Sequence, residues 1–241
     1  MQLLRLFAVL FFMTIGLSGC SDTYEWNEKV TVEVETPDGL KTASSVQAVE
    51  LIHTWAGLPE MKGASASLKG EAVVLEVLPG RYLFALLSSE RDRSRRLNLF
   101  YNSELDDLYR RELGLKAGEY KNRTVPEKVA LTLRTKGRSM AMPSYYYPIL
   151  ATFKDINDPS SVQKVEPDNL SVVFGSGVKL KRITYEIVDE PVTRGKIEAV
   201  LKWFDSVTRL IPKDQVLDYY NRKEPVISKG HFISYRKWGK K

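Results

Sequence analysis

Cysteine is nearly absent from this sequence: Cys20 is the only one in 241 residues. A single thiol closes no internal disulfide, so the fold has to stand on its own core. Histidine is almost as scarce, with His53 and His231 alone. They stand in no H-E-x-x-H spacing and no thiolates complete a set, which excludes the familiar zinc motifs and leaves no metal cofactor to expect. His53 lies in the strand-like run Ile52-His53-Thr54 and reads as a structural side chain. There is no G-x-S-x-G and no phosphate-binding glycine loop. Ser176-Gly177-Val178-Lys179 has the S-x-x-K spacing of serine acylases, but it sits among glycines and a β-rich run, without S-D-N or K-T-G elsewhere. Asp155-Ile156-Asn157-Asp158-Pro159 begins like a calcium loop and reaches Glu166 at position twelve. Pro159 and Ser160 stand where a ligand and the turn glycine belong, so an acidic turn is the simpler reading. Long apolar runs are missing too. The longest, Leu6–Leu17, has twelve residues, short of the about 20 that a spanning helix needs.

What is present begins with that run. Arg5 precedes it as the only charge in the first twenty-one residues, and the small residues Ser18 and Gly19 follow it. A positive start, a short apolar stretch and small residues form an export signal. Leu17-Ser18-Gly19-Cys20 resembles the lipobox of bacterial lipoproteins. The resemblance covers residues 1–20 only. It implies a signal peptide over 1–19, a diacylglyceryl group on the Cys20 thiol, cleavage before Cys20 and further acylation (palmitate or a similar chain) of the new amine. It explains the lone thiol, which lipid consumes. Ser21 follows the cysteine and Asp22 comes one place later. By the enterobacterial sorting rule this implies the outer membrane, facing the periplasm. The only prosthetic group expected is the lipid on Cys20.

Lys and Arg number 36 against 30 Asp and Glu, a net charge of +6, or +5 without Arg5. In an exported protein this excess points to anionic lipid, lipopolysaccharide or cell-wall polymer, and not to nucleic acid. Hydrophobic residues at 43% and aromatics at 10% are globular values. The basic residues gather in two places. Arg91, Arg93, Arg95 and Arg96 form one cluster. From Arg222 to the end, seven basic residues face only Glu224, with Phe232, Tyr235 and Trp238 among them. Arg236, Lys237, Trp238, Lys240 and Lys241 are the candidate anionic-surface site; a solvated tail, its aromatic rings packed inward, is the plainer alternative.

The pattern along the chain is mainly β. Val30, Val32 and Val34 alternate with polar residues, Pro37-Asp38-Gly39 has turn chemistry, and Ser45–Ile52 reads as a second strand. Residues 56–70, rich in Gly, Ser and Ala, read as a loop. Runs at 71–78 and 81–87 flank Pro79-Gly80 as a hairpin. A capping box at Ser103–Asp106 opens a predicted helix with Leu105, Leu108, Tyr109 and Leu113. Lys128–Thr135 alternates as a strand, with a crossing at 135–144. Tyr145–Phe153 is a strand that Pro148 places at an edge or a bulge, followed by a polar loop to Asp168. Val178–Val188 is a strand with a slip near Lys181. Ile197, Val200, Leu201 and Phe204 stand on one helix face, and 226–238 reads as a final hairpin around Lys229-Gly230. The fold class expected is α+β, mainly antiparallel β-sheet of sandwich-like form with a few amphipathic helices. A sheet-rich part over 20–136 and an α+β part over 145–241 make one domain or two.

The body is similar to uncharacterised bacterial envelope proteins, which implies no activity. The function expected is a membrane-anchored, non-catalytic binding or structural module of the envelope, held by its N-terminal acyl chains, with protein partners left open. Two alternatives stand beside it: a periplasmic hydrolase using paired carboxylates such as Asp155, Asp158 or Glu186, and a lipoprotein component of a secretion or envelope assembly.

Overall fold

The computed structural model describes residues 20–55, 63–89, 112–116, 119, 122–207, 210 and 227–234. Nine strands form two antiparallel sheets: β1 (Ser21–Thr36), β2 (Gly39–Thr54), β3 (Gly63–Lys69), β4 (Val73–Leu78), β5 (Arg81–Ser89), β6 (Met140–Ala141), β7 (Pro148–Phe153), β8 (Val162–Val165) and β9 (Lys179–Val188). Among the described residues three short helices join them: α1 (Val125–Leu133), α2 (Leu170–Phe174) and α3 (Lys196–Val200). The first sheet has the order β3-β2-β1-β9-β6 and the second β4-β5-β7-β8. Each sheet combines strands from before and after residue 140, with β9 against β1 and β7 against β5. The α+β, sandwich-like class is the one found.

Two apolar layers hold the sheets. Trp26, Val30, Val32 and Val34 alternate on one face of β1 and meet Val73, Leu75, Val77, Leu83 and Leu87 of the second sheet in the main core. The second sheet is covered on its other face as well. Phe84 and Leu86 of β5 and Ile149, Ala151 and Phe153 of β7 pack there against Ile197, Leu201, Phe204, Phe232 and Ile233. Edge-to-face rings knit this layer, with Phe84–Phe153 at 5.6 Å and Phe84–Phe232 at 5.4 Å between centroids. Leu83–Leu87 and all six residues of β7, Thr152 among them, are buried, as strands covered on both faces must be.

Several predicted elements recur. The Pro37-Asp38 turn joins β1 to β2, with Thr36 opposite Gly39. Pro79-Gly80 turns β4 into β5. The slip near Lys181 is a bulge, since Glu33 pairs with Arg182 and Val34 with Leu180. Ile197, Leu201 and Phe204 are core, but the helix expected through them ends at Val200, which is only partly buried, and Leu201 and Phe204 follow in turns.

Other expectations are corrected. Lys128–Thr135 is not a strand; it lies in α1 and the turn after it. Glu127 closes a capping box on Thr124, and Pro126 sits in the first turn, where its missing N–H costs nothing. The loop over 56–70 contains β3, whose small residues let it pair with β2 from Ala48 to Thr54. Tyr145 and Tyr146 form a 3-10 turn before β7, and β7 is an interior strand. Pro148 fits because it is the first strand residue, at an irregular point of the β5–β7 ladder. The polar loop to Asp168 contains β8. Lys229-Gly230 belongs to a 3-10 turn with a Ser228–His231 capping box, not to a hairpin. The helix predicted from Ser103 falls outside the described residues up to Arg111.

Candidate functional site

Cys20 stands at one end of the β1–β2 ladder. It is exposed and immediately precedes Ser21, the first residue of β1, so no spacer separates it from the sheet. Its carbonyl accepts the Trp55 N–H at 3.2 Å. Trp55 is itself 52% exposed, and Ile52 is 36% exposed. The last four rows of this end are Ser21/Thr54/Gly63, Asp22/His53/Ala64, Thr23/Ile52/Ser65 and Tyr24/Leu51/Ala66. Among those residues, with Cys20 and Trp55, Asp22 is the only charge. His53 and His231 lie apart, on β2 and in the turn after Ser228; His231 Nδ1 accepts the Ser228 N–H at 3.0 Å, so it closes a turn.

Two buried carboxylates lie deeper, and neither was singled out from the sequence. Glu71 is wholly buried at the crossing from β3 to β4. Its carboxylate accepts the backbone N–H groups of Gly195, of Lys196 at 2.9 Å and of Ile197 at 3.3 Å, at the start of α3. Its own carbonyl accepts Ser45 Oγ–H at 2.7 Å and Gln47 Nε2–H at 3.2 Å from β2. Flanking backbone completes the junction: Ala72 N–H donates to Phe232, Ser234 N–H to Gly70, and Glu71 bridges Ile233. Gly70 has to be glycine here, since its φ is 158° and a Cβ would lie 3.0 Å from Gln47. Glu71 therefore ties both sheets, α3 and the segment around Phe232 together.

Glu28 faces the main core between Trp26 and Val30. Trp26 Nε1–H donates to Glu28 Oε1 at 2.7 Å and Tyr185 O–H donates to the same oxygen at 2.6 Å. Burial pushes this carboxyl up to about 7, against the pull of Tyr185 and Trp26. Both donors converge on Oε1, which leaves Oε2 to carry the proton. A cleft of about 340 Å³ lies over Trp26, between Leu133, Ile187 and the Lys136–Asp189 ion pair. Glu28 does not line it.

A second groove, of about 330 Å³, runs along the start of β7 and the end of β8. Tyr145, Tyr147 and Pro148 form one wall, and Lys164, Glu166 and Pro167 the other. The Tyr145 ring is 46% exposed, and Lys164 and Glu166 are paired at 2.9 Å.

No protein-family model, curated protein or solved structure matches the chain. Chemistry has to be read from these residues alone. Of the carboxylates named for hydrolysis, Asp155 and Asp158 share one turn, while Glu186 lies on the other sheet. Asp155 and Asp158 close turns between β7 and β8 by accepting the Asn157 and Ser160 N–H groups, each at 2.9 Å. Glu186 lies on the outer face of the first sheet, opposite Lys29. Among the described residues no cluster of three or more His, Cys, Asp or Glu could hold a metal ion.

Of the basic tail, Arg236, Lys237, Trp238, Lys240 and Lys241 lie outside the described residues, as do Arg91, Arg93, Arg95 and Arg96. The residues just before the tail are structural. Phe232 is wholly buried in the second layer. Lys229 Nζ donates to the Val207 carbonyl at 2.6 Å and sits 4.6 Å from the Phe204 ring centroid. Burial pulls its ammonium below the usual lysine range.

Proposed function

We propose that the protein is a membrane-anchored envelope lipoprotein, acylated on Cys20, whose β-sandwich body is a non-catalytic binding or structural module. The observation that carries this reading is Leu17-Ser18-Gly19-Cys20 behind a twelve-residue apolar run, ending at an exposed cysteine that heads β1. Each buried methylene contributes about 0.8 kcal/mol, and one acyl chain binds only reversibly, so two or three chains on Cys20 suffice for lasting attachment. Placement on the outer membrane, facing the periplasm, follows from Ser21 at the sorting position. The basic tail through Arg236, Lys237, Lys240 and Lys241, with Trp238, adds a grip on anionic lipid, lipopolysaccharide or cell-wall polymer, at about 1 kcal/mol for each cation near such a surface.

A module is favoured over a hydrolase because Asp155 and Asp158 serve turns while Glu186 sits on the other sheet. The Tyr145–Pro167 groove, with its exposed ring and ion pair, offers such a module a place for a ligand. Mass spectrometry of the native protein tests the reading. The first residue should be Cys20 carrying lipid, and Cys20→Ala should leave the membrane fraction or stay unprocessed. An unmodified thiol, or Met1 retained, contradicts it.

A further inference from the structure

We infer that the Cys20 end of the first sheet is a built membrane seat, with Trp55 lodged in the headgroup zone of the bilayer and the long strands standing away from it. The inference rests on the anchor reading for what brings the bilayer here, and it adds the surface that meets the lipid.

Three independent features of this end agree. The apolar run Leu6–Leu17 leads into Cys20, so the chain outside the described residues ends here. Cys20 is followed directly by strand, and a thioether lipid on it holds the terminal row against the bilayer, with no tether to let the body swing. The surface itself suits lipid. The four described terminal rows of β1, β2 and β3 carry one charge, Asp22, in a chain of which 27% is charged; Glu60 and Lys62, between β2 and β3, lie outside the described residues, and Glu25 and Glu50 open the next row. Trp55 and Ile52 are exposed on them, and Tyr24 is half-buried. Tryptophan and tyrosine are the residues that settle at membrane–water interfaces, where one end of the ring is apolar and the other wet. The Trp55 backbone N–H donates to the Cys20 carbonyl at 3.2 Å, which sets the two residues side by side at the end of the ladder. Four rows at about 3.3 Å each span roughly 10 Å along the strands. The polar zone on either side of the hydrocarbon is roughly 5–8 Å deep, so the outer rows fill it.

The test uses the full-length protein purified with its own lipid, placed in vesicles of brominated phosphatidylcholine, with Trp fluorescence as the readout. Native protein should be quenched relative to unbrominated vesicles. In a Trp238→Phe background, which removes the tail's indole, Trp55→Phe should lose most of that quenching at an unchanged melting temperature, and Trp203→Phe should keep it. Equal quenching with and without Trp55→Phe in that background, with lipid on Cys20 confirmed by mass in the same sample, overturns the seat and leaves the anchor standing. A bare Cys20 in that sample overturns the anchor reading instead.

Discussion

The two ends of the β1–β2 ladder differ as the two ends of a mooring do. At one end Cys20, Trp55, Ile52 and Tyr24 meet on rows with a single charge. At the other, Glu33, Glu35, Asp38, Lys41, Lys179, Lys181 and Arg182 crowd around the Pro37-Asp38 turn, and Arg182 pairs Glu33 at 2.7 Å. That end is also braced by neighbouring turns. Gly177 packs against Pro37, and Arg81 lies over the Phe174 ring and donates to the Val173 carbonyl. Sixteen residues of strand separate the ends, roughly 50 Å at 3.3 Å per residue. Among the described rows charge is sparse at one end and concentrated at the other, although both belong to the same pair of strands.

The largest expected effect removes the difference altogether. Cys20→Ala should shift the protein from the membrane fraction to the soluble or unprocessed fraction, read by fractionation. Next come the interior contacts that make the sheet stiff enough for one end to position the other. Glu71→Ala would leave the buried Ile197 amide and the part-buried Gly195 and Lys196 amides without their acceptor, at about 1–3 kcal/mol for a fully buried group and less for the other two. A loss of about 3–5 kcal/mol is expected in denaturant unfolding, with Glu71→Gln intermediate; an unchanged midpoint would remove the clasp from the account. Glu28 gives a smaller and pH-dependent term. The fold holds its carboxyl protonated up to about 7, against an ordinary value of 4.5. Folded chains therefore bind more protons than unfolded ones between those values, and stability falls as pH rises through that window. The loss is roughly 3 kcal/mol by about pH 8, at 1.36 kcal/mol per unit. Glu28→Gln should flatten that slope in unfolding curves taken from pH 5 to 8, and a slope equal to the native one would contradict the assignment. The smallest effect is at the charged end: reversing Asp38 and Lys41 should leave membrane binding unchanged and alter stability by no more than about 0.5 kcal/mol, as exposed sites usually do.

Much of the sheet was legible because alternation is a local signal. Val30, Val32 and Val34 announced the core face of β1, and Pro79-Gly80 the β4–β5 hairpin. The misreadings share a cause. Val129, Leu131 and Leu133 alternate by chance inside α1, while the Thr124–Glu127 cap and Pro126 held the better signal. β3 was hidden because Ala64, Ser65, Ala66 and Ser67 have weak strand preference and are held by pairing to β2. At the site, the resemblance of Leu17-Ser18-Gly19-Cys20 to a lipobox pointed to Cys20, but nothing near Trp55 in sequence shows that it meets Cys20 from 35 residues away; the register of β1 on β2 does that. Glu71 and Glu28 were invisible for the same reason, since their donors come from Gly195 and Tyr185, far along the chain.

The most direct test of the anchored, standing body uses the lone cysteine. The proposed lipid on Cys20 would leave the native protein without a free thiol, so Asp38→Cys and Thr23→Cys would each offer one position to a fluorescent probe. Energy transfer to acceptor-labelled lipid in vesicles then reports the height of each position. The account predicts a native chain that takes no probe, efficient transfer from position 23, and transfer from position 38 reduced to that of a donor roughly 50 Å from the surface. Labelling of the native chain at Cys20, or equal transfer from positions 23 and 38, would contradict it.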